Sequence, residues 1–365
     1  MSKSFEIKAS GIAPYLYPVD TLYGLLWYDK EQALEIPKQY PYKGEWGQCI
    51  SDCIMLRDTY PMPYKLNLVW LAIVERKFYN LEEVFPQNGM EMVWEEFCHD
   101  GVSTFTHIVV GMAPYGNVAL WFYGDNKSRL IAWLEATEAE VDFRDFTNTS
   151  SCSNIDELCD FYINQDPCVR ENLVKNGLPS RDLFDSYMKQ FIYRYVVIFG
   201  FWEEDEQAWI MNDESRLSDN SVSNAESGII MGSTEFDYIE EALFDGTHDK
   251  LHDGGLMNFH LAGKPKKLAL MWHIKKSEYT AYFWFEDEEI SAIFNRFYGA
   301  HPETKTDFMI RIDSEKNKYE LALYRYGLKE PQVISESAYQ LLVFKNKFEY
   351  YRSKNYNQPK GAWIW

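Results

Sequence analysis

The chain has 365 residues, long for one ordinary domain and natural for two, and its 46% apolar content is enough for real cores. With 56 acidic against 36 basic residues the net charge is −20, which sets the chain against nucleic-acid phosphate and steers it towards a basic partner or plain solubility. No run approaches the roughly 18 apolar residues of a membrane-spanning helix.

Aromatic residues reach 17%, with 26 Tyr, 23 Phe and 12 Trp, and favour pleated strands. The opening "MSKSFEIKAS" has no apolar core of export-signal length and no lipobox-like Cys. A cytoplasmic location is therefore expected. The Cys at 49, 53, 98, 152, 159 and 168 are then expected as free thiols, not as a disulfide framework.

Taken in order, "TLYGLLWYDKEQALEIP" (21–37) reads as strand, polar turn at Asp29-Lys30-Glu31, and strand. "YKLNLVWLAIVERKFYNLEE" follows Pro61 and Pro63 and alternates from Lys65 to Trp70 as a half-buried strand. Met90, Val93, Trp94 and Phe97 have helical spacing. Residues 106–112 and 118–123 flank the turn Pro114-Tyr115-Gly116-Asn117 and predict a hairpin. Residues 128–140 read as a closing helix.

The same order then recurs. Residues 193–213 read as strand, acidic turn, strand. "KKLALMWHIKKSEYTAYFWF" supplies a second Lys-Leu strand with its partner. Ile290, Ile293, Phe294 and Phe297 have helical spacing. Residues 307–327 predict a hairpin turning at Ser314-Glu315-Lys316-Asn317, and 336–354 a closing helix. Trp70 and Trp272 lie 202 residues apart, and Gly124 and Gly327 lie 203 apart. Two copies fall short of the three or more repeats of a solenoid. The expected fold is α+β: two tandem similar domains, each an antiparallel, aromatic-rich β-sheet with a few short helices. The first copy is 1–145, a helical or irregular linker 146–187, and the second, degenerate copy 188–365. The polar stretch 212–228 is expected to be a loop.

The ordered set "APYLYPVDTLYG", "GEWGQ", "KLNLVWLAIVERKFYNLEE" and "VVGMAPYGNVALWFYG" resembles the bacterial family of domain of unknown function 2931. The matching positions are Pro18 and Val19; Trp46 and Gly47; Leu66, Trp70, Glu75, Phe78 and Tyr79; and Gly111, Ala113, Pro114 and Gly116, over roughly 12–140. The second copy keeps Leu268 and Trp272. Its Glu278 and Tyr282 match across one inserted residue, and Asp313-Ser314-Glu315-Lys316 replace the Ala-Pro-x-Gly turn. The resemblance implies interbacterial competition, beside type VI secretion toxins, and an immunity role. Many members look like lipoproteins, whose signal this chain lacks.

The residues themselves offer little catalytic chemistry. His248 and His252, each followed by an acid at Asp249 and Asp253, would share a metal only on a helix, and Gly246, Gly254 and Gly255 argue for a loop. His99-Asp100 lacks a third partner, the Cys lack Cys-x-x-Cys knuckles, and no phosphate or nucleophile-elbow motif is present. Glu75 reads as a structural charge beside Lys77. The acidic run Glu203, Glu204, Asp205 and Glu206 between Trp202 and Trp209 reads either as a solvated turn or as a contact surface for a basic protein. Glu286, Asp287, Glu288 and Glu289 read as a helix N-terminus or a second such patch. The expectation is a non-enzymatic immunity protein without cofactor, binding a cognate toxin through its basic active-site surface, with no nucleic-acid or membrane partner. A metal-dependent hydrolase using 246–255 and a structural or adaptor protein of a secretion system are the alternatives.

Overall fold

The computed structural model describes residues 4–38, 41–50, 59–96, 98–99, 102–146, 152–199, 229–230, 234–252, 256, 258–274, 277–299, 301, 303–313, 318–325, 332–334, 338–345 and 349–352. The chain forms two compact units: Met1–Met188 with Asp245–His248, and Lys189–Phe244 with Asp249–Trp365. Both are mostly β-sheet with a few short helices, and no described helix is long and apolar enough to cross a membrane.

The first unit runs β1 (Lys8–Ile12), β2 (Val19–Trp27), β3 (Ala33–Glu35), β4 (Lys65–Ala72), β5 (Lys77–Val84), α1 (Gln87–Glu96), β6 (Cys98–His99), β7 (Val102–Ser103), β8 (His107–Met112), β9 (Asn117–Gly124), β10 (Lys127–Glu135), β11 (Thr137–Ala139), α2 (Phe143–Phe146), α3 (Ile155–Gln165), α4 (Pro167–Asn176) and α5 (Arg181–Met188). One sheet has the order β11-β5-β4-β2-β3, and another runs β1-β8-β9-β10. β4 explains the arrangement: Leu66, Leu68 and Trp70 are fully buried on one face and join the core with Met90 and Trp94 of α1 and Val110, Leu120 and Phe122 of the second sheet. The other face is buried only towards its end, where Leu71, Ile73 and Phe78 lie under Leu158 and Cys159 of α3.

The second unit runs β12 (Phe191–Phe199), β13 (Ile229–Ile230), β14 (Thr234–Leu243), β15 (His248–His252, whose first residue belongs to the first unit), β16 (His260–Ala262), β17 (Pro265–Ile274), β18 (Ser277–Trp284), α6 (Asp287–Tyr298), β19 (Thr306–Asp313), β20 (Lys318–Tyr324), β21 (Gln332–Ile334), β22 (Ala338–Lys345) and β23 (Glu349–Arg352). Its sheets include the orders β14-β17-β18-β22-β23 and β13-β12-β19-β20-β21.

Matching details recur in the two units. Trp70 pairs and stacks with Tyr79 at 5.4 Å, and Trp272 pairs and stacks with Tyr279 at 5.4 Å. A bulge interrupts β2 between Thr21 and Tyr23, opposite Trp70 and Val69; another interrupts β14 between Phe236 and Tyr238, opposite Trp272 and Met271. The Phe85 N–H donates to Tyr64 O at 2.7 Å, and the Phe285 N–H to Lys266 O at 3.0 Å.

Three expectations need correction. The sheets are not wholly antiparallel, because β1 runs parallel to β8 and β12 parallel to β19. Residues 128–140 are not a helix but β10 and β11; a register shift between Leu130 and Ala132 breaks the two-residue alternation and imitates a helical period. Residues 336–354 are not a helix either: β22 and β23 lie there, and an apolar run such as Leu341–Phe344 does not by itself separate strand from buried helix. The stretch 146–187, expected as a helical or irregular linker, is helical in most of its described part, as α3, α4 and α5, which group with the first unit. The second strand expected at 200–213 and the loop 212–228 lie outside the described residues.

Candidate partner-binding surface

The motif residues converge on the turn between β4 and β5. Glu75 accepts from the Tyr79 hydroxyl at 3.0 Å through Oε1 and from the Tyr115 N–H at 2.8 Å through Oε2. Burial pushes its carboxyl above the usual range, against the pull of those two donors and of Lys77. Tyr115 has φ 63° and Gly116 φ 76°, so the β8–β9 hairpin turns through two left-handed residues. The Asn117 side chain closes that turn by donating to Pro114 O at 2.8 Å and accepts from Trp133 Nε1 at 3.1 Å. The Gly116 carbonyl takes the Ala136 N–H at 2.8 Å, where the chain leaves β10 for β11, and the Tyr115 hydroxyl donates to Pro179 O at 2.6 Å. Arg76 ties the same turn to Asp156 at 3.1 Å and Asp160 at 2.5 Å of α3. Both Glu75 oxygens are engaged with donors, so the carboxylate braces two turns; Lys77 pairs instead with Glu138 at 2.7 Å.

Trp46 and Gly47 belong to a second knot. Trp46 meets Trp121 edge-on at 4.8 Å, and a Cβ on Gly111 would strike both rings. Trp121 Nε1 donates to Asp245 O at 3.0 Å and the Ser128 hydroxyl to Gly246 O at 2.6 Å. Gly47 (φ 84°) passes so close to the Gly246 carbonyl that no side chain fits between them.

The residues singled out in the sequence scatter. Trp202, Glu203, Glu204, Asp205, Glu206, Trp209 and Asp253 lie outside the described residues. Glu286 sits at the N-cap position of α6 with no capping bond from its side chain and is exposed, as is Glu288; Glu289 is half-buried. Asp287 accepts from the Ser291 hydroxyl at 2.9 Å and lies 3.5 Å from Lys264 Nζ, which also bonds Ser291. Lys264 is 2% exposed, and burial lowers its pKa. His248, Asp249 and His252 lie on a strand, not a loop or helix; His248 Nδ1 lies 2.6 Å from Asn126 O and His252 Nδ1 3.2 Å from Asp237 O. Among the described residues no three His, Cys, Asp or Glu groups gather as a metal site.

The sequence reading missed an acidic rim. Glu135, Glu138, Glu140, Asp142 and Asp145 are all exposed along the end of β10, β11 and α2, and Glu82 is exposed on the neighbouring β5. Among the described residues of the first unit, exposed carboxylates outnumber exposed cations more than two to one. The charge run was visible in "EATEAEVDFRD", but the helical reading of 128–140 hid the fact that it lies exposed along the end of β10, β11 and α2.

Fold and surface together define a chain of two mostly β units, the first braced from within and acidic at its rim. Residues 1–170 match the model of the family described as "Protein of unknown function (DUF2931)", a span that reaches through α3 into α4. A search of curated proteins and a search of solved structures each found no match.

Proposed function

We propose that the protein is an immunity protein that binds and neutralises a cognate antibacterial toxin, of the kind delivered by type VI secretion, by covering its basic active site in the cytoplasm. The observation that carries this reading is the acidic rim: Glu135, Glu138, Glu140, Asp142 and Asp145, exposed along the end of β10, β11 and α2, fit a surface built to attract phosphate or another anionic substrate, whose cations would replace the exposed partners Arg181 of Glu135, Lys77 of Glu138 and Arg144 of Asp142. The two units are read as tandem copies of one domain. The shared Trp–Tyr stacks, the bulges opposite both Trp and the matching Phe85 and Phe285 bonds support that, with the second copy degenerate. The family matched by residues 1–170 is described as of unknown function, so the reading rests on the acidic rim and not on that match.

Co-expression with the product of the adjacent gene tests the proposal. The expected result is rescue of growth and a one-to-one complex that weakens as salt rises. Rescue without a complex would remove occlusion as the mechanism. Absence of both, with that product proven toxic, would remove the immunity reading.

A further inference from the structure

We infer that Asp20 is a proton-operated latch under α3: protonated, it lets the helix sit down on the first unit's sheet, and ionised, it makes the helix lift. Strand register puts the acid there. Asp20 of β2 pairs with Leu71 of β4, and Leu71 with Phe78 of β5, so the three side chains form a row across one face. Leu158 and Cys159 of α3 close over Leu71, Ile73 and Phe78 of that face, and Asp20 is left 2% exposed.

The second unit gives the contrast. Leu71 and Phe78 stand one step beyond the Trp70–Tyr79 pair, and the row one step beyond Trp272 and Tyr279 reads Glu235, His273 and Glu278. His273 and Glu278 both reach solvent. There an acid begins a polar row. In the first unit the acid remains while its two neighbours are apolar and carry a helix.

The helix gives the acid one bond, from the Tyr162 hydroxyl to Asp20 Oδ2 at 3.0 Å. Asp20 Oδ1 is buried with no hydrogen-bond partner among the described residues. The other groups acting on the carboxyl are the Thr21 N–H of its own strand, Lys38 beyond β3 and the Cys159 thiol of α3, while β4 sets the apolar Leu71 opposite. Arg76, at the β4–β5 turn, is engaged with the exposed Asp156 and Asp160 of α3. Burial therefore outweighs the donors and raises the carboxyl from 3.8 to about 7. Lifting α3 hydrates the charge, and protonation removes the reason to lift. The folded value exceeds the ordinary one, so docking is fully favoured below about pH 4 and weakens as pH rises to about 7.

The latch reaches the acidic rim. Ala139 of β11, Val141, and Phe143 and Phe146 of α2 pack on the same apolar cluster as α3. Loosening the helix thus loosens the segment that carries Glu138, Glu140, Asp142 and Asp145.

The test treats the full chain with N-ethylmaleimide between pH 5 and pH 8 and reads modification of Cys159 by peptide mass spectrometry. Each rate is divided by that of the urea-unfolded chain at the same pH. Cys159 is fully buried, so it reacts when α3 lifts. The normalised rate is expected to rise roughly 50- to 100-fold over that range and to level off above about pH 7, with the near-ultraviolet signal of the Trp70–Tyr79 stack unchanged. Asp20→Asn, whose amide oxygen still accepts from Tyr162, is expected to stay low and flat. Tyr162→Phe removes a donor that favours the charge, so its curve should level off at a higher pH, a shift that a merely structural hydroxyl would not produce. Amide exchange at 143–146, corrected for intrinsic base catalysis, should follow the wild-type Cys159 curve. A flat wild-type curve, an equal rise in Asp20→Asn, or an unmoved curve in Tyr162→Phe would each overturn the inference. So would loss of the Trp70–Tyr79 signal in step with labelling, which would mean that the whole unit unfolds.

Discussion

Removing the Glu75 carboxylate should release the β8–β9 turn. In Glu75→Ala the Tyr115 N–H and the Tyr79 hydroxyl lose their acceptor together. A half-buried donor left without a partner costs about 1–3 kcal/mol, so two of them bring the loss to roughly 2–4 kcal/mol once partial solvation is allowed for. Tyr115 adds to this, because its left-handed backbone, which costs a side-chain-bearing residue about 1–2 kcal/mol, loses the bond that holds it. Glu75→Gln is the control. Its amide oxygen still accepts from Tyr115, and the Tyr79 hydroxyl can turn round to accept from the amide nitrogen, so the cost stays below about 1 kcal/mol. The pH dependence has a definite sign. The folded carboxyl lies above its ordinary value of 4.5 because burial disfavours the charge, so its contribution is most favourable at low pH and is lost as pH rises through the folded pKa. Gln does not titrate and should gain on the wild type as pH rises above the ordinary carboxyl value of 4.5. Amide exchange at Tyr115 reads this directly: a rise of roughly 30-fold or more for alanine and within about fivefold for Gln. Unchanged exchange in Glu75→Ala, or Gln as fast as alanine, would show that the brace does not hold this turn.

Three further outcomes are expected. Gly47→Ala should displace 245–248, since a methyl there collides with the Gly246 carbonyl and sits at φ 84°; the site 245–248 should become protease-sensitive and stability should fall by about 3 kcal/mol or more. Asp20 is 2% exposed and accepts from the Tyr162 hydroxyl at 3.0 Å, and burial raises it from 3.8 to about 7. Stability should therefore fall as pH rises from about 4 to 7 and level off above, and Asp20→Asn should flatten that slope, recovering up to about 4 kcal/mol at pH 8 in urea melts. Lys264→Met should cost less than about 1 kcal/mol, because the first unit has Met62 three residues before its own Lys-Leu strand, whereas Asp287→Ala removes a carboxylate from beside a buried ammonium and leaves it the neutral Ser291 hydroxyl, and should cost about 2–4 kcal/mol by thermal unfolding.

The sequence revealed the strands whose burial follows a clean period. β4 alternates over Lys65–Leu68 before both its faces become buried, β17 alternates around Trp272, and α1 and α6 carry their apolar residues at helical spacing. It hid what depends on irregularity or on distant pairing. The bulge in β10 converted alternation into a false helix, and β22 is a strand only because β18, more than fifty residues earlier, accepts it. The parallel pairings of β1 with β8 and β12 with β19 leave no local trace either, since both partners read as ordinary apolar strands. The Glu75 brace was half legible: a lone acid after a Trp strand marked the position, but its partner is a backbone N–H forty residues away, and composition says nothing about backbone donors.

The matched motif positions are mostly spent on the interior. Trp70 stacks on Tyr79, Glu75 holds Tyr115, Gly116 receives Ala136, Gly111 makes room for Trp46 and Trp121, and Gly47 for Gly246. The acidic rim at Glu138, Glu140 and Asp142 contains none of those positions. A pattern that recognises the scaffold while leaving the rim free is what a binding domain needs when each copy meets its own partner, and it predicts a separation of effects. Reversing Glu138, Glu140 and Asp142 to Lys together should shift the thermal midpoint by only a few degrees, since all three are exposed and the interactions lost, the Lys77–Glu138 pair and the bonds of Asp142 to the Arg144 side chain and N–H, are surface contacts worth little. The same triple variant should weaken a complex with a basic toxin at least tenfold at low salt, through slower association. Trp70→Ala should do the reverse, unfolding the first unit through loss of a fully buried ring worth about 3–5 kcal/mol. Calorimetry and surface binding on the two variants decide it: if the rim variant loses stability while retaining affinity, the carboxylates serve the fold and the acidic surface is no recognition site.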